Sequence, residues 1–335
     1  MKINISMTTA TELAQISSSE SGTGDKIGQI KIKEQKVLVD TGDGVKTLIT
    51  PYYTGNSFRG KLRRASTQML LETAIKKDIA VTADAFHLMN AGGGPTYSRQ
   101  LFKIEEKVRE LNPLISLFGA SLAISGKLIT PNLMPYKEIV DGQGVYYYST
   151  NEEDGSIYSN ITAKNLFIKT DDLLDRRGNA KFMSDEAILE WQSRAAENAQ
   201  NVAKSRNTDT KVKKETLKTV MNQNFIIRGV DFYSSLGEIG SLTQIEKGLL
   251  YRSLEIVILD SLGAYKSKGF GLCNYKIEFE DGSVIETKIN EYLQAEIIKK
   301  DYKEDTADAI AAFDKWLENI DENNLMIEKV LVKNK

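Results

Sequence analysis

The chain has 335 residues, 41% of them hydrophobic, and a formal net charge of −2. This can bury one large core or two modest ones and excludes global disorder. A single histidine (His87) and a single cysteine (Cys273) exclude an internal disulfide framework and an ordinary Cys/His zinc site, and the phosphate-loop, Gly-x-Gly-x-x-Gly and Gly-x-Ser-x-Gly signatures are missing.

In chain order, MKINISM alternates Ile3, Ile5 and Met7 on one face, which predicts a strand. SSSESGTGDKIGQ (17–29) reads as a Ser/Gly-rich loop and IKIKEQKVLVD (30–40) as a second strand. TGDG (41–44) is a hairpin signal, and VKTLITPYY returns as a strand ended by Pro51. From Phe58 the period changes: Phe58, Leu62, Ala65 and Met69 mark one face of a helix reaching about Lys77, with Ser57 and its neighbour Asn56 as the expected N-cap. Gly60 in its first turn suggests a close approach to the backbone.

HLMNAGGGPTYSRQ (87–100) is a glycine-rich loop, followed by a short charged helix at about 101–112. NPLISLFGASLAISGKLITP (112–131) holds an apolar run, a Phe-Gly break and a strand-like stretch. Residues 136–225 carry polar turns, a long polar helix at about 184–205 and a basic arm (Lys204, Arg206, Lys211, Lys213, Lys214, Lys218), and read as a projecting insertion. NFIIRGVDFYSSL (224–236) is a strand, and residues 243–262 form an amphipathic helix. GAYKSKGFGLCNYKIEFED (263–281) is a Gly/Lys loop entering a strand. The acidic stretch 301–324 places Ile310, Phe313, Leu317 and Ile320 at helical spacing. Mixed elements with hairpins predict an α+β fold with an antiparallel sheet. The opening lacks a secretory pattern, and no run approaches the ~18–20 apolar residues of a membrane span. A cytoplasmic protein with no membrane partner and no cofactor is expected.

Two segments carry the chemistry. GNSFRGKLRR (55–64) gathers Arg59, Lys61, Arg63 and Arg64 behind a turn, with no acid among them. A helix N-terminus with Asn56 and Ser57 as short donors and four cations is suited to anions, against the alternative of a solvated basic face. In GAYKSKGFG (263–271), Gly263, Gly269 and Gly271 permit close approach, Lys266 and Lys268 supply charge, and Tyr265 and Phe270 offer stacking surfaces; an ordinary helix-to-strand connection is the other reading. NAGGG (90–94) is either an anion nest or a flexible tip, and His87 is read as a structural or contact residue.

The motif GNSFRGKLR (55–63), the glycine-rich loop GAYKSKGFG and the LFG (117–119) between them resemble the RAMP superfamily of CRISPR-associated proteins over about residues 1–285. NFIIRGVDF and the following helix fit the same pattern. HLMNAGGG, LFG and TDDLLDR (170–176) are most similar to the type IV version of the multi-copy backbone subunit of a class 1 effector complex. The resemblance implies an RRM-like, ferredoxin-type palm (1–54 and 224–288), helical fingers (55–135), a protruding thumb (136–223) and a C-terminal acidic helix and tail (289–335). It implies a filament of copies along one guide crRNA, with other effector subunits as partners and target DNA or RNA recognised by base pairing. Asn56, Ser57, Arg59, Lys61, Arg63 and Arg64 would hold guide phosphates on one side of a groove, and Lys266, Lys268, Gly269 and Phe270 would line the other. Related type III subunits cut RNA with an aspartate in an early loop, here occupied by Asp25. That loop differs in length and composition, so a non-catalytic subunit is expected. The alternatives are an RNA endonuclease using Asp25 or His87, and a protein whose basic loops bind another protein or a small phosphate ligand.

Overall fold

A computed structural model describes residues 1–20, 28–93, 105–120, 124–170, 184–190, 193 and 218–326. Its strands run β1 (Ile3–Thr9), β2 (Ile16–Glu20), β3 (Gly28–Ile32), β4 (Glu34–Asp40), β5 (Val45–Pro51), β6 (Leu128–Ile129), β7 (Met134–Val140) and β8 (Gln143–Tyr146). They continue as β9 (Ser149–Thr150), β10 (Ile157–Tyr158), β11 (Thr162–Thr170), β12 (Lys218–Ile226), β13 (Asp231–Glu238), β14 (Cys273–Phe279), β15 (Val284–Ile289) and β16 (Ala295–Asp301). The helices used here are α1 (Gly55–Lys76), α2 (Ala83–Ala91), α3 (Glu105–Leu111), α4 (Pro113–Phe118), α5 (Gln244–Val257) and α6 (Glu304–Glu318). The fold is mixed α+β with a principally antiparallel sheet.

The chain forms two compact units, one of Met1–Ala14, Lys33–Ile161 and Ile226–Lys335, the other of Gln15–Ile32 and Thr162–Phe225. The first is built on a sheet ordered β16-β15-β14-β1-β13-β7-β8, with β6 also on β13. Alternation explains its two faces. Ile3, Ile5 and Met7 of β1 are buried, as are Cys273, Tyr275, Ile277 and Phe279 of β14, whereas Asn4, Ser6 and Thr8 lie opposite Glu278, Lys276 and Asn274 on the other face. Helix α5 starts with a capping box, in which Thr243 accepts from the Glu246 backbone N–H and the Glu246 carboxylate accepts from the Thr243 N–H. Tyr251 of this helix meets Phe279 edge-on at 4.8 Å, which fixes α5 on the buried face. Helix α6 lies against α5 where Gly248 is so close to Ala309 and Phe313 that a Cβ would collide with both.

Several boundaries differ from the sequence expectation. The strand expected over 30–40 is two strands, because β3 pairs with β2 and β12 while β4 pairs with β5. The expected loop 17–29 contains parts of β2 and β3. The strand expected over 224–236 is broken by a turn at Arg228–Gly229, where Gly229 has φ +81°. Residues 136–161 belong to the first unit, because β7 pairs with β13 and Ile157 packs with Val39 and Leu48 of the β4–β5 hairpin. The second unit has its own sheet, ordered β11-β12-β3-β2, in which β12 runs parallel to β3. Residues 185–190 are helical, at the start of the expected polar helix. The remainder of that helix, Asp25, most of TDDLLDR and the arm from Lys204 to Lys214 lie outside the described residues.

Candidate nucleic-acid interface

Helix α1 is capped three residues before Ser57. Thr54 is the N-cap, in extended conformation, and its Oγ1 accepts from the Ser57 N–H at 3.2 Å. Asn56 is therefore an exposed residue of the first turn, and Ser57 a half-buried one whose Oγ accepts from the Thr54 hydroxyl at 2.8 Å. The tight position is Gly55. A Cβ there would sit 1.9 Å from the Thr130 carbonyl oxygen, and its N–H donates to Asn132 Oδ1 at 2.9 Å. The expected close approach at Gly60 is not found among the described residues, since a Cβ there would only touch the Arg64 guanidinium at 3.5 Å. Phe58, Leu62 and Ala65 are buried and Met69 half-buried, so the predicted apolar face is the packed one.

The four cations divide by helical geometry. Arg59 and Arg63, four residues apart, share a face. Arg59 Nη2 donates to the Phe118 carbonyl at 2.9 Å, and Arg63 Nη2 donates to the Phe118 and Gly119 carbonyls at 2.5 and 2.6 Å. These carbonyls end α4, where helix oxygens lack internal partners and carry partial negative charge. Arg63 also lies 5.7 Å over the Phe118 ring. Neither guanidinium pairs with a carboxylate among the described residues, and Arg63 Nη1 is buried with no hydrogen-bond partner there. Burial lowers the pKa of Arg59, and burial followed by the charge of Arg59 brings Arg63 down to about 10. Both remain cationic at neutral pH.

Lys61, two residues from Arg59, faces elsewhere. Its ammonium donates to Asp260 Oδ2 at 2.5 Å and to the Ser261 carbonyl. Lys266 donates to the same carboxylate at 2.8 and 3.0 Å, so Asp260 joins α1 to the 263–271 loop. Burial brings Lys61 down to about 8 despite this partner. Asp260 is pushed up by burial, but hydrogen bonds from Lys266 and Lys61 outweigh that effect and hold it below the ordinary range. Desolvation prevails at the lysine, whose side chain is 10% exposed, and the hydrogen bonds prevail at the aspartate, which is 53% exposed.

The loop itself is anchored at Gly271. Its φ is +84° and a Cβ would lie 1.8 Å from the Leu262 carbonyl, while its own N–H and carbonyl bond Glu12 and Leu262 at 2.7 Å. Lys268 sits 4.9 Å over the Tyr265 ring, and Phe270 meets Tyr265 edge-on at 6.0 Å. Gly269, at φ +80°, faces open space among the described residues. Arg64 is exposed and has no ion-pair partner among the described residues. Thus Lys61 and Lys266 are brought together, while Arg59 and Arg63 turn towards α4.

Sequence reasoning missed Asp260. Neither basic segment contains an acid, yet this one stands three residues before Gly263, just past the end of α5. It also missed the α4 carbonyls as arginine partners, which no side-chain pattern announces. His87 is exposed on α2. The first glycines of NAGGG cap α2: the Gly92 and Gly93 N–H groups donate to the Leu88 and His87 carbonyls. Gly94 lies outside the described residues. No helix among the described residues is long and apolar enough to cross a membrane.

No protein-family model matches the chain, and no curated protein matches it. Among solved structures, a chain of a structure titled "Type IV-B CRISPR Complex" is similar at 14% identity and a TM-score of 0.47, over 84% of this chain and 91% of that one. At this identity and TM-score, a functional reading has to rest on the residues of the present chain.

Proposed function

We propose that the chain is a non-catalytic guide-RNA-binding backbone subunit of a class 1 CRISPR effector complex. It would assemble with further copies of itself and with other effector subunits, and present guide bases for pairing with target DNA or RNA. The motif resemblance supplies the class, and the Arg59–Arg63 pair supplies the physical support.

Charged groups withdrawn from water are ordinarily paired with opposite charge. Here two guanidiniums stand side by side on neutral carbonyls, although the chain holds 46 acidic residues against 44 lysines and arginines. A phosphate backbone reaching this end of α1 would furnish the missing negative charge, with exposed Arg64 extending the contact. Lys61 and Lys266, which share the one Asp260 carboxylate, would contribute less than a count of cations suggests, and Lys268, over Tyr265, would face a base or sugar.

The test is single-stranded RNA binding by the intact protein as a function of salt, with sequencing of any nucleic acid that co-purifies. Uniform RNA with repeat-derived flanks and a log–log salt slope of about −0.7 per neutralised phosphate is expected. A protein free of nucleic acid that binds RNA no better than a neutral polymer overturns the reading. Metal- or pH-dependent cleavage lost in Asp25→Ala or His87→Ala would overturn its non-catalytic part.

A further inference from the structure

The face of the main sheet opposite α5 carries a group of tyrosines that the phosphate site does not use. Cross-strand pairing puts Tyr233 of β13 opposite Ser6 of β1, and Ser6 opposite Lys276 of β14, all on that face. Tyr136 of β7 stacks with Tyr233 at 6.3 Å between ring centroids and an interplanar angle of 24°. Tyr146 of β8 closes on Tyr136 edge-to-face at 4.9 Å and leans on the cluster beneath the β4–β5 hairpin. Beside them Thr8 donates to Asp231 Oδ1 at 2.6 Å and the Tyr147 hydroxyl donates to Oδ2 at 3.4 Å. Tyr136 and Tyr233 are half-buried, each keeping part of its surface open.

The chemistry of this face separates it from the arginine pair. Its cation beside the tyrosines, Lys276, is taken by Glu278 at 2.8 Å, and the Asp231 carboxylate is held by hydroxyls, so it has little to attract a phosphate. Around the tyrosines stand short neutral donors and acceptors: Asn4, Ser6, Ser235 and Asn274. Flat aromatic surface bordered by hydroxyl and amide groups is matched by a flat heterocycle with a polar edge, and less well by the apolar side chains of a protein partner. The face is also continuous with the start of α1. Gly55 bonds Asn132, Tyr53 bridges Leu133, and β7 runs from there to Tyr136. A strand of four residues covers about 13 Å, so one nucleic acid chain could reach both places.

We infer that Tyr233 and Tyr136 form a stacking platform for an unpaired nucleobase of the RNA whose backbone α1 holds. This inference rests on the RNA-binding reading and adds to it the site at which a base, rather than a phosphate, is recognised.

The test uses the intact protein, a 30-nucleotide oligouridylate and an abasic ribose-phosphate oligomer of equal length. Short-wavelength ultraviolet crosslinking followed by peptide mass spectrometry is expected to place uridine adducts on Tyr233 or Tyr136. Tyr233→Leu keeps apolar bulk without a ring face. It should weaken oligouridylate binding about tenfold, leave the salt slope unchanged and leave abasic binding unaltered. Tyr136→Leu serves as the second variant should Tyr233→Leu fail to fold. Oligouridylate bound with a normal salt slope, indifferent to both variants and crosslinked only elsewhere, overturns the platform and leaves the phosphate site standing. Failure of the unchanged protein to bind either oligomer overturns both.

Discussion

The Arg63 guanidinium donates to the Phe118 carbonyl at 2.5 Å and lies 5.7 Å over the ring of the same residue, gripping backbone and side chain where α4 ends. A basic residue chosen from the sequence as an anion ligand is thus also a structural clamp. Arg63→Lys keeps the charge and loses the planar fork that spans Phe118 and Gly119. It should lower unfolding free energy by about 1–2 kcal/mol, read by urea denaturation. Unchanged stability would remove the clamp from the account.

Arg64 offers the complementary test, because it is exposed and clamps nothing among the described residues. Arg64→Ala should leave the melting temperature within about 1–2 °C and shift stability by no more than ~0.5 kcal/mol. It should lower RNA affinity for all sequences alike and flatten the salt slope by about 0.7, the share of one phosphate. A steep, unaltered slope would exclude this residue from the contact.

Lys61 makes stability depend on pH in a defined direction. Its folded pKa is about 8, below the ~10.4 of a free lysine. Between those values the unfolded chain holds a proton that the folded chain has released, so stability rises with pH across that window. Below about pH 8 both states are protonated and the full desolvation cost is present. Lys61→Met should abolish the rise, measured by chemical denaturation at about pH 7.5 and 9.5. A rise of equal size in the variant would assign it to another group.

Gly248 sets the spacing of α5 and α6. A Cβ there would lie 2.1 Å from the Ala309 carbonyl oxygen and 2.6 Å from Phe313 Cβ. Gly248→Ala gains helix propensity of about 1 kcal/mol but forces the helices apart. A net loss of about 1–3 kcal/mol is expected, with a lower thermal midpoint. Stabilisation would mean that α6 can move away freely.

Much of the fold was legible because its periods are local. The alternation of Ile3, Ile5 and Met7 and the spacing of Phe58, Leu62 and Ala65 each name a buried face, and TGDG names the β4–β5 hairpin. The breaks at Lys33 and Gly229 were not legible. The first separates β3, which joins β12, from β4, which turns back on β5, and the second separates β12 from β13, which joins β1; nothing local records which sheet a strand will join.

The sequence by itself determined that α1 opens with four cations and no acid, and that a glycine-rich basic loop precedes β14. Only the tertiary structure decided what those charges meet. Helical geometry turns Arg59 and Arg63 to the carbonyl end of α4, and chain reversal after α5 carries Asp260 to Lys61 and Lys266. A charge is read from one residue, but for Arg59, Arg63 and Lys61 its partners stand some 55 to 200 positions away, and folding alone brings them within hydrogen-bonding distance.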